Sequence, residues 1–403
     1  MTLLPEERAA LADIDPARML AQVEYWCAIN SGSRNLEGLE AMAALLAEAF
    51  APLGEVRMLE PADASQMLPT GEVQPLRHGR NLHLLVRPQA PTRVLLTGHY
   101  DTVFPREHPF QTLRWLEAGV LNGPGVADMK GGIAVLLAAL TALESSPWAA
   151  GLGYEVVLNS DEEISSPGSA PLLLECARRV DLGLTFEPAL PDGTLAGARP
   201  GSGNFSVHVA GRAAHAGREP EKGRNAIVAA ADLALRLSAL VAPDLKVNVA
   251  KIEGGGPNNV VPDNAVLRFN MRPATVEAER RAEAAIDGAI AAIVAAHGVE
   301  AHRHGDFARP PKPLDANQLR LFELVKAVGA DLELPIGWRD AGGVCDGNNL
   351  AATGLAVVDT LGVRGGAIHS AEEYLIVDSL GERARLSALL LMRIARQGFR
   401  RSP

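Results

Sequence analysis

The chain has 403 residues, 47% of them hydrophobic, and 48 acidic against 38 basic residues give it a formal net charge of −10. Such a chain can bury a large core and has room for two domains, and its acidity, with no basic block, argues against a nucleic-acid partner or an anionic membrane surface. Three cysteines, Cys27, Cys176 and Cys345, lie far apart with no CxxC, so neither a disulfide framework nor a cysteine zinc site is indicated.

At the N-terminus Glu6, Glu7 and Arg8 stand where a signal peptide would need its apolar core, and a cytoplasmic location is expected. Helical spacing over 17–29 and 36–50 flanks the loop SGSRN. Strands are predicted at 81–87 and 93–97. The second ends in Gly98 and presents His99 and Asp101 two positions apart, on one side of an extended backbone. That spacing suits a metal-ligating imidazole and the carboxylate that orients it. Alone, such a pair is most often turn residues or a satisfied histidine, so the reading needs further ligands.

Asp128 follows in the glycine-rich turn NGPGVADMKGG, where a carboxylate could bridge two cations. The turn lacks the GxxxxGK[ST] spacing of a phosphate loop, and Asp128 would repel a phosphate. The apolar run 133–143 behind it reads as a buried helix, too short for the roughly 20 residues that span a bilayer. A strand at 155–159 then runs into Ser160-Asp161-Glu162-Glu163, and a strand at 182–186 into Glu187-Pro188. Ligands in open α/β sheets gather at the carboxyl ends of strands, and adjacent acids there can divide metal binding from proton transfer. Near the end, GGAIHS supplies His369. The set His99, Asp128, Glu163, Glu187 and His369, supported by Asp101 and Glu162, suits paired zinc ions, with cobalt or manganese able to use the same ligands.

HYDTVFP, GPGVADMKGG, NSDEE, FEP and GAIHSAEEY together resemble the metallohydrolase family of glutamate carboxypeptidase, acetylornithine deacetylase and succinyl-diaminopimelate desuccinylase, over nearly the whole chain. The resemblance implies that His99, Asp128 and Glu187 hold one zinc and that Asp128, Glu163 and His369 hold the other. It makes Asp101 the residue that orients His99, and Glu162 the general base.

Between these motifs the sheet pattern is interrupted. Strands at 204–210, 246–251, 265–271 and 299–304 and helices at 225–240 and 276–297 have the order βαββαβ. The expected architecture is therefore a wound, mixed-sheet α/β catalytic domain, 1–200 and 312–403, with a smaller α+β domain, 201–311, inserted. In the resembling family the insert is a lid or dimerisation domain, which implies a homodimer. The resemblance further assigns His215 and Asn259 to the carbonyl oxygen of the scissile bond, His215 acting in the partner subunit's site. It assigns Arg272 to a substrate carboxylate, and Gly343 to backbone contact with that group. Cys345 reads as a small packed residue. Helices at 318–328 and 379–396 complete the chain.

The expected activity is hydrolysis of an amide bond beside a carboxylate, in a small peptide or an N-acyl amino acid, with no nucleic-acid or membrane partner. An N-acyl-amino-acid deacylase is the related alternative. A catalytically silent binding or assembly protein is the alternative from another class.

Overall fold

The computed structural model describes residues 3–401. Its larger layer is a six-stranded sheet in the spatial order Val56–Leu59, Asn81–Val86, Leu152–Asn159, Thr92–His99, Leu182–Thr185, Ala356–Val358. Asn81–Val86 is antiparallel to both neighbours, and the remaining pairs are parallel. The sheet is thus mixed. Thr92–His99 lies between strands that follow it in sequence, so the chain winds to one side of it and then to the other.

Alternation of side chains sorts the central strands between two cores. Val94, Leu96, Tyr154, Val156 and Leu158 join the core that contains the helices Pro16–Cys27, Leu36–Phe50, Lys130–Glu144 and Asp378–Gln397. Leu95 and Val157 face the opposite way, onto Leu173 and Cys176 of the helix Ala170–Arg178 and Leu350 of Asp346–Ala351. Near-continuous apolar strands are what a sheet covered on both faces requires.

The insert has a separate core. Its strands Gly203–Ala210, Leu245–Gly254, Asn264–Pro273 and Glu300–His304 form an antiparallel sheet, and the helices Ala226–Ser238 and Val276–His297 pack on it through Ala229, Leu233, Ile286 and Ile293. The βαββαβ order expected from the sequence is present, with the small pairing of Ala214–His215 against Val260–Val261 added to it. Other elements carry little periodic signal. The helix Pro5–Ala12, the hairpin Ala64–Met67 with Val73–Leu76, and the three-residue strand Ala356–Val358 are short or polar. Among the described residues no helix is long and apolar enough to cross a membrane.

The helix Lys130–Glu144 is buried almost all round and presses its first turn against the strand end that precedes Glu187. A Cβ on Gly132 would lie 1.9 Å from the Phe186 carbonyl oxygen. Alanine is the better helix former by about 1 kcal/mol, but overpacking a tight core costs about 1–3 kcal/mol. Gly132→Ala is therefore expected to lower the thermal unfolding midpoint. A midpoint at or above that of the wild type in scanning calorimetry would contradict this contact.

Candidate metal centre

Three adjacent parallel strands deliver the first ligands. His99 is paired with Asn159 at the strand ends, and Thr97 with Thr185, so His99, the turn 160–163 and Glu187 emerge along one edge of the sheet. Asp128 enters on the turn before Lys130–Glu144, and His369 on the loop after Gly365–Gly366. Among the described residues, four of the six non-glycine residues with positive φ flank this edge: Ser165, Ser166, Ala367 and His369. Such conformations cost energy and persist where their surroundings enforce them.

Two groups of ligand atoms converge, His99 with Asp128 and Glu187, and Asp128 with Glu163 and His369. His99 Nε2 lies 3.1 Å from Asp128 Oδ1 and 3.7 Å from Glu187 Oε2. His369 Nε2 lies 3.2 Å from Asp128 Oδ2 and 3.1 Å from Glu163 Oε2. Each oxygen of Asp128 thus belongs to a different group.

Asp101 sits behind the centre. Its Oδ1 is 3.3 Å from His99 Nδ1 and accepts the Glu162 N–H at 3.1 Å, while Oδ2 accepts Ser33 Oγ at 2.7 Å and the Glu163 N–H at 3.3 Å. The Asp101 backbone carbonyl, 3.1 Å from His99 Nδ1, and the carboxylate together orient the imidazole, and the carboxylate also holds the backbone of both acids after the strand. Glu373 does the same for Asp128, accepting N–H bonds from Gly125, Ala127 and Asp128 at 3.2, 3.0 and 3.1 Å. Burial and the Asp128 charge push Glu373 up to about 8, against those three bonds.

The electrostatics describe a site short of positive charge. Burial, then Asp128, pushes Glu163 up to about 7, and burial also raises Glu187 and Glu162. Burial would raise Asp128 too, but hydrogen bonds from His369 and His99 outweigh it and hold Asp128 well below the usual carboxylate range. Hydrogen bonds to Asp128 and Glu163 lift His369 to about 11. Burial works to lower His99, but Glu187, Asp101 and Asp128 carry it well above the ordinary histidine value. The imidazoles are the only ion-pair partners of Asp128, Glu163 and Glu187 among the described residues, and Glu187 Oε1 is buried with no hydrogen bond. Divalent ions fit this donor set, because they displace the imidazole protons and supply the missing charge.

A cavity of about 670 Å³ opens in front of these residues, lined by Asp128, Glu162, Glu163, Glu187 and His369. Arg272 and Gly343 share its wall. Arg272 Nη1 donates to the Gly342 carbonyl and Nε to Asn270 Oδ1, each at 3.1 Å. The Gly343 carbonyl accepts Arg199 Nη1 at 3.1 Å. Cys345 borders the cavity as a buried thiol whose pKa burial pushes well up, in keeping with a packed residue. His215 and Asn259 stand elsewhere. They are exposed neighbours on the insert, joined by the Ala216 N–H to the Asn259 carbonyl at 2.9 Å, and they do not line this cavity. A wider groove of about 760 Å³, between the helices Pro16–Cys27, Leu36–Phe50 and Lys130–Glu144, holds none of the converging ligands.

His83, Glu155 and Cys176 also converge. Arg179 occupies both Glu155 oxygens, and burial, which would raise Glu155, is outweighed by its bonds from His83 and Arg179, which hold it at about 2. A cation is already present there. Sequence reasoning missed Glu373, and it missed Arg309, whose guanidinium pairs with both Glu162 and Asp346. Glu373 lies inside the quoted GAIHSAEEY stretch, but its partners are about 245 positions away.

Residues 95–393 match peptidase family M20/M25/M40. Carboxypeptidase G2 of Pseudomonas sp. (strain RS-16) is 30% identical over 331 residues, 78% of this chain and 77% of that protein. A succinyl-diaminopimelate desuccinylase of Stenotrophomonas maltophilia is 32% identical over 320 residues, 72% of this chain and 80% of the relative. Among solved structures, a tripeptidase from Staphylococcus aureus has a TM-score of 0.72 at 21% identity, covering 95% of this chain and 100% of that one. An M20 family metallo-carboxypeptidase from Sulfolobus solfataricus has a TM-score of 0.70 at 15% identity, covering 94% and 99%. At these identities the two structures speak for the fold. The protein is a metal-dependent hydrolase of the metallopeptidase and amidohydrolase class. It belongs to peptidase family M20/M25/M40.

Glu373→Ala tests the clamp on the Asp128 turn. Leaving buried donors unpaired costs about 1–3 kcal/mol each, so urea unfolding should shift to lower concentration and bound metal should fall below the wild-type content. Unchanged stability and metal content would show that the three bonds do not hold the turn.

Proposed function

We propose that the protein hydrolyses an amide bond adjacent to a carboxylate, in the manner of a glutamate carboxypeptidase, with two zinc ions per chain. One observation carries this reading: two ligand groups share Asp128 and open, with Glu162 and Arg272, onto a single cavity. His99, Asp128 and Glu187 would hold one ion, and Asp128, Glu163 and His369 the other. Bound there, the ions supply Lewis acidity for the carbonyl and lower the pKa of water. Cobalt or manganese can use the same nitrogen and oxygen ligands.

The chain's own groups do the rest. Asp101 holds the His99 ring so that Nε2 faces the ligand set. Glu162, raised by burial, takes a proton from the attacking water and passes it to the departing amine nitrogen. Arg272 spends Nη1 and Nε on the protein, and Nη2 remains to bind a substrate carboxylate. Gly343, on the same wall, offers its backbone N–H.

His215 we assign to the partner subunit's site. Its Nδ1 accepts N–H bonds from Gly217 and Arg218 at 3.1 and 3.2 Å, which places the proton of a neutral ring on Nε2 and makes that atom a donor suited to an oxyanion. Asn259 lies beside it. Residues 201–311 would form the dimerising unit and 1–200 with 312–403 the catalytic one. Val228 and Leu235, one heptad apart and both exposed on the helix Ala226–Ser238, support a homodimer through the insert. Three free cysteines, all buried, fit a cytoplasmic setting.

Glu162→Gln is expected to keep its metal and lose about 10²–10⁴-fold in kcat. The measurement is a screen of C-terminal dipeptides beside N-acyl amino acids, run with zinc and with cobalt. The desuccinylase relative makes the acyl series worth including, and its preferential cleavage would shift the reading to a deacylase. Near-normal turnover by metal-replete Glu162→Gln would remove the base assignment, and a metal-free, chelator-insensitive wild type would remove the reaction.

Mixing tests His215. His215→Ala and Glu162→Gln chains should each be nearly inactive alone, and subunit exchange should restore part of the activity, because one site per heterodimer then has both groups. Exchange verified by a mass label without recovery would place His215 outside the partner's site.

A further inference from the structure

The insert joins the catalytic part through two short chain segments bridged to each other, Arg199 with Lys312 and Ser202 with Arg309. Each segment sends cations inward. Arg199 donates to both oxygens of the buried Asp359, at 2.8 and 3.1 Å, and Lys312 Nζ lies 2.8 Å from the same carboxylate. That end of the hinge is anchored on a buried carboxylate, and Arg199 also lines the cavity.

Arg309 goes to a different place. It is 1% exposed, and its Nη2 donates to Glu162 Oε1 at 2.8 Å, to the Glu162 carbonyl at 3.2 Å and to Ser166 Oγ at 2.9 Å. Its Nη1 donates to Asn349 Oδ1 at 2.7 Å and to Asp346 Oδ1. Among the described residues it is the only cation paired with Glu162. Oε1 of Glu162 is thereby occupied, and Oε2 is left to the cavity that this residue lines.

We infer that Arg309 is a positioning residue for Glu162: it holds the carboxylate by one oxygen so that the other is presented to the cavity, and it ties that orientation to the hinge of the insert. The guanidinium suits this task because one rigid plane directs several donors at once. Its neighbours explain why a charge alone does not suffice. Asp346 also accepts Ser166 Oγ at 2.6 Å and Asn159 Nδ2 at 2.8 Å, so Arg309 is locked at its far end and cannot swing with Glu162. Glu162 is set by the fork, and the fork by the chain leaving the insert.

The inference rests on Glu162 being the general base, and the experiment separates the two claims. Arg309→Lys keeps the charge and loses the fork. We expect kcat to fall about 100-fold, as for a slightly misplaced catalytic group, with KM within about threefold. Metal content should stay near wild type, and the thermal midpoint is expected to fall, because buried acceptors lose their donor. In a Glu162→Gln background the same change should alter the residual rate by less than about threefold, since the group it positions is already gone.

A structural role would instead lower both backgrounds equally. Equal losses, or a single variant within about threefold of the wild-type kcat, would overturn the inference. If Arg309→Lys does not fold, the pair Arg309→Met with Asp346→Asn removes both buried charges together and must give the same split between kcat and KM. Should Glu162→Gln itself retain turnover, the base assignment falls and the positioning role with it. Should it abolish turnover while Arg309→Lys is neutral, only the positioning role falls.

Discussion

Carboxylate crowding is the constraint on which the rest of this structure depends. Asp101, Asp128, Glu162, Glu163, Glu187, Asp346 and Glu373 crowd one edge of the sheet, most of them buried. Isolated charges in such a place would be prohibitively destabilising, so each must be bonded, paired or given a cation. The fold answers in three ways. Backbone N–H groups satisfy Asp101 and Glu373, and Arg309 pairs Glu162 with Asp346. The remaining three, Asp128, Glu163 and Glu187, have only imidazoles as ion-pair partners among the described residues. The groups left with the least protein charge are the ones whose geometry suits metal ions.

This division also explains the rigidity around the site. The strands end in register, and the helix Lys130–Glu144 packs too closely for a side chain at Gly132. Residues in left-handed conformations carry the chain past Glu163 and His369. A carboxylate whose two oxygens serve different ligand groups needs them held to within a fraction of an ångström, and turns of this kind allow that only when tertiary contacts overdetermine them.

The insert meets the catalytic part unevenly. Arg272 reaches the cavity from the end of an insert strand and bonds to the Gly342 carbonyl, so one cavity-lining cation comes from the insert of the same chain. His215 and Asn259, on the same unit, stay at its exposed face. The strand that abuts the hinge thus brings Arg272 to the cavity, whereas the loop carrying His215 and Asn259 does not line it.

Sequence alone was sufficient for the parts that depend on local chemistry. Apolar β-rich runs ending in His99, Asp161 to Glu163 and Glu187 identified the strands and their carboxyl ends, and alternation of strands with helical stretches indicated the wound sheet and the βαββαβ insert. Period and composition are properties of neighbouring residues. His99, Glu163 and Glu187 could likewise be named because their residue types are scarce choices at a strand end, and Asp128 and His369 because each stands in a glycine-rich stretch. Tertiary structure decided what no local pattern encodes: that Asp128 presents one oxygen to each ligand group, that Glu373 clamps the turn carrying it, and that Arg309 leaves a proline-rich linker to hold Glu162. Arg309 and Glu162 are 147 residues apart, and an arginine before two prolines looks like any solvated linker charge until the chain has folded. Only burial, which removes water as the alternative partner, makes that pairing obligatory.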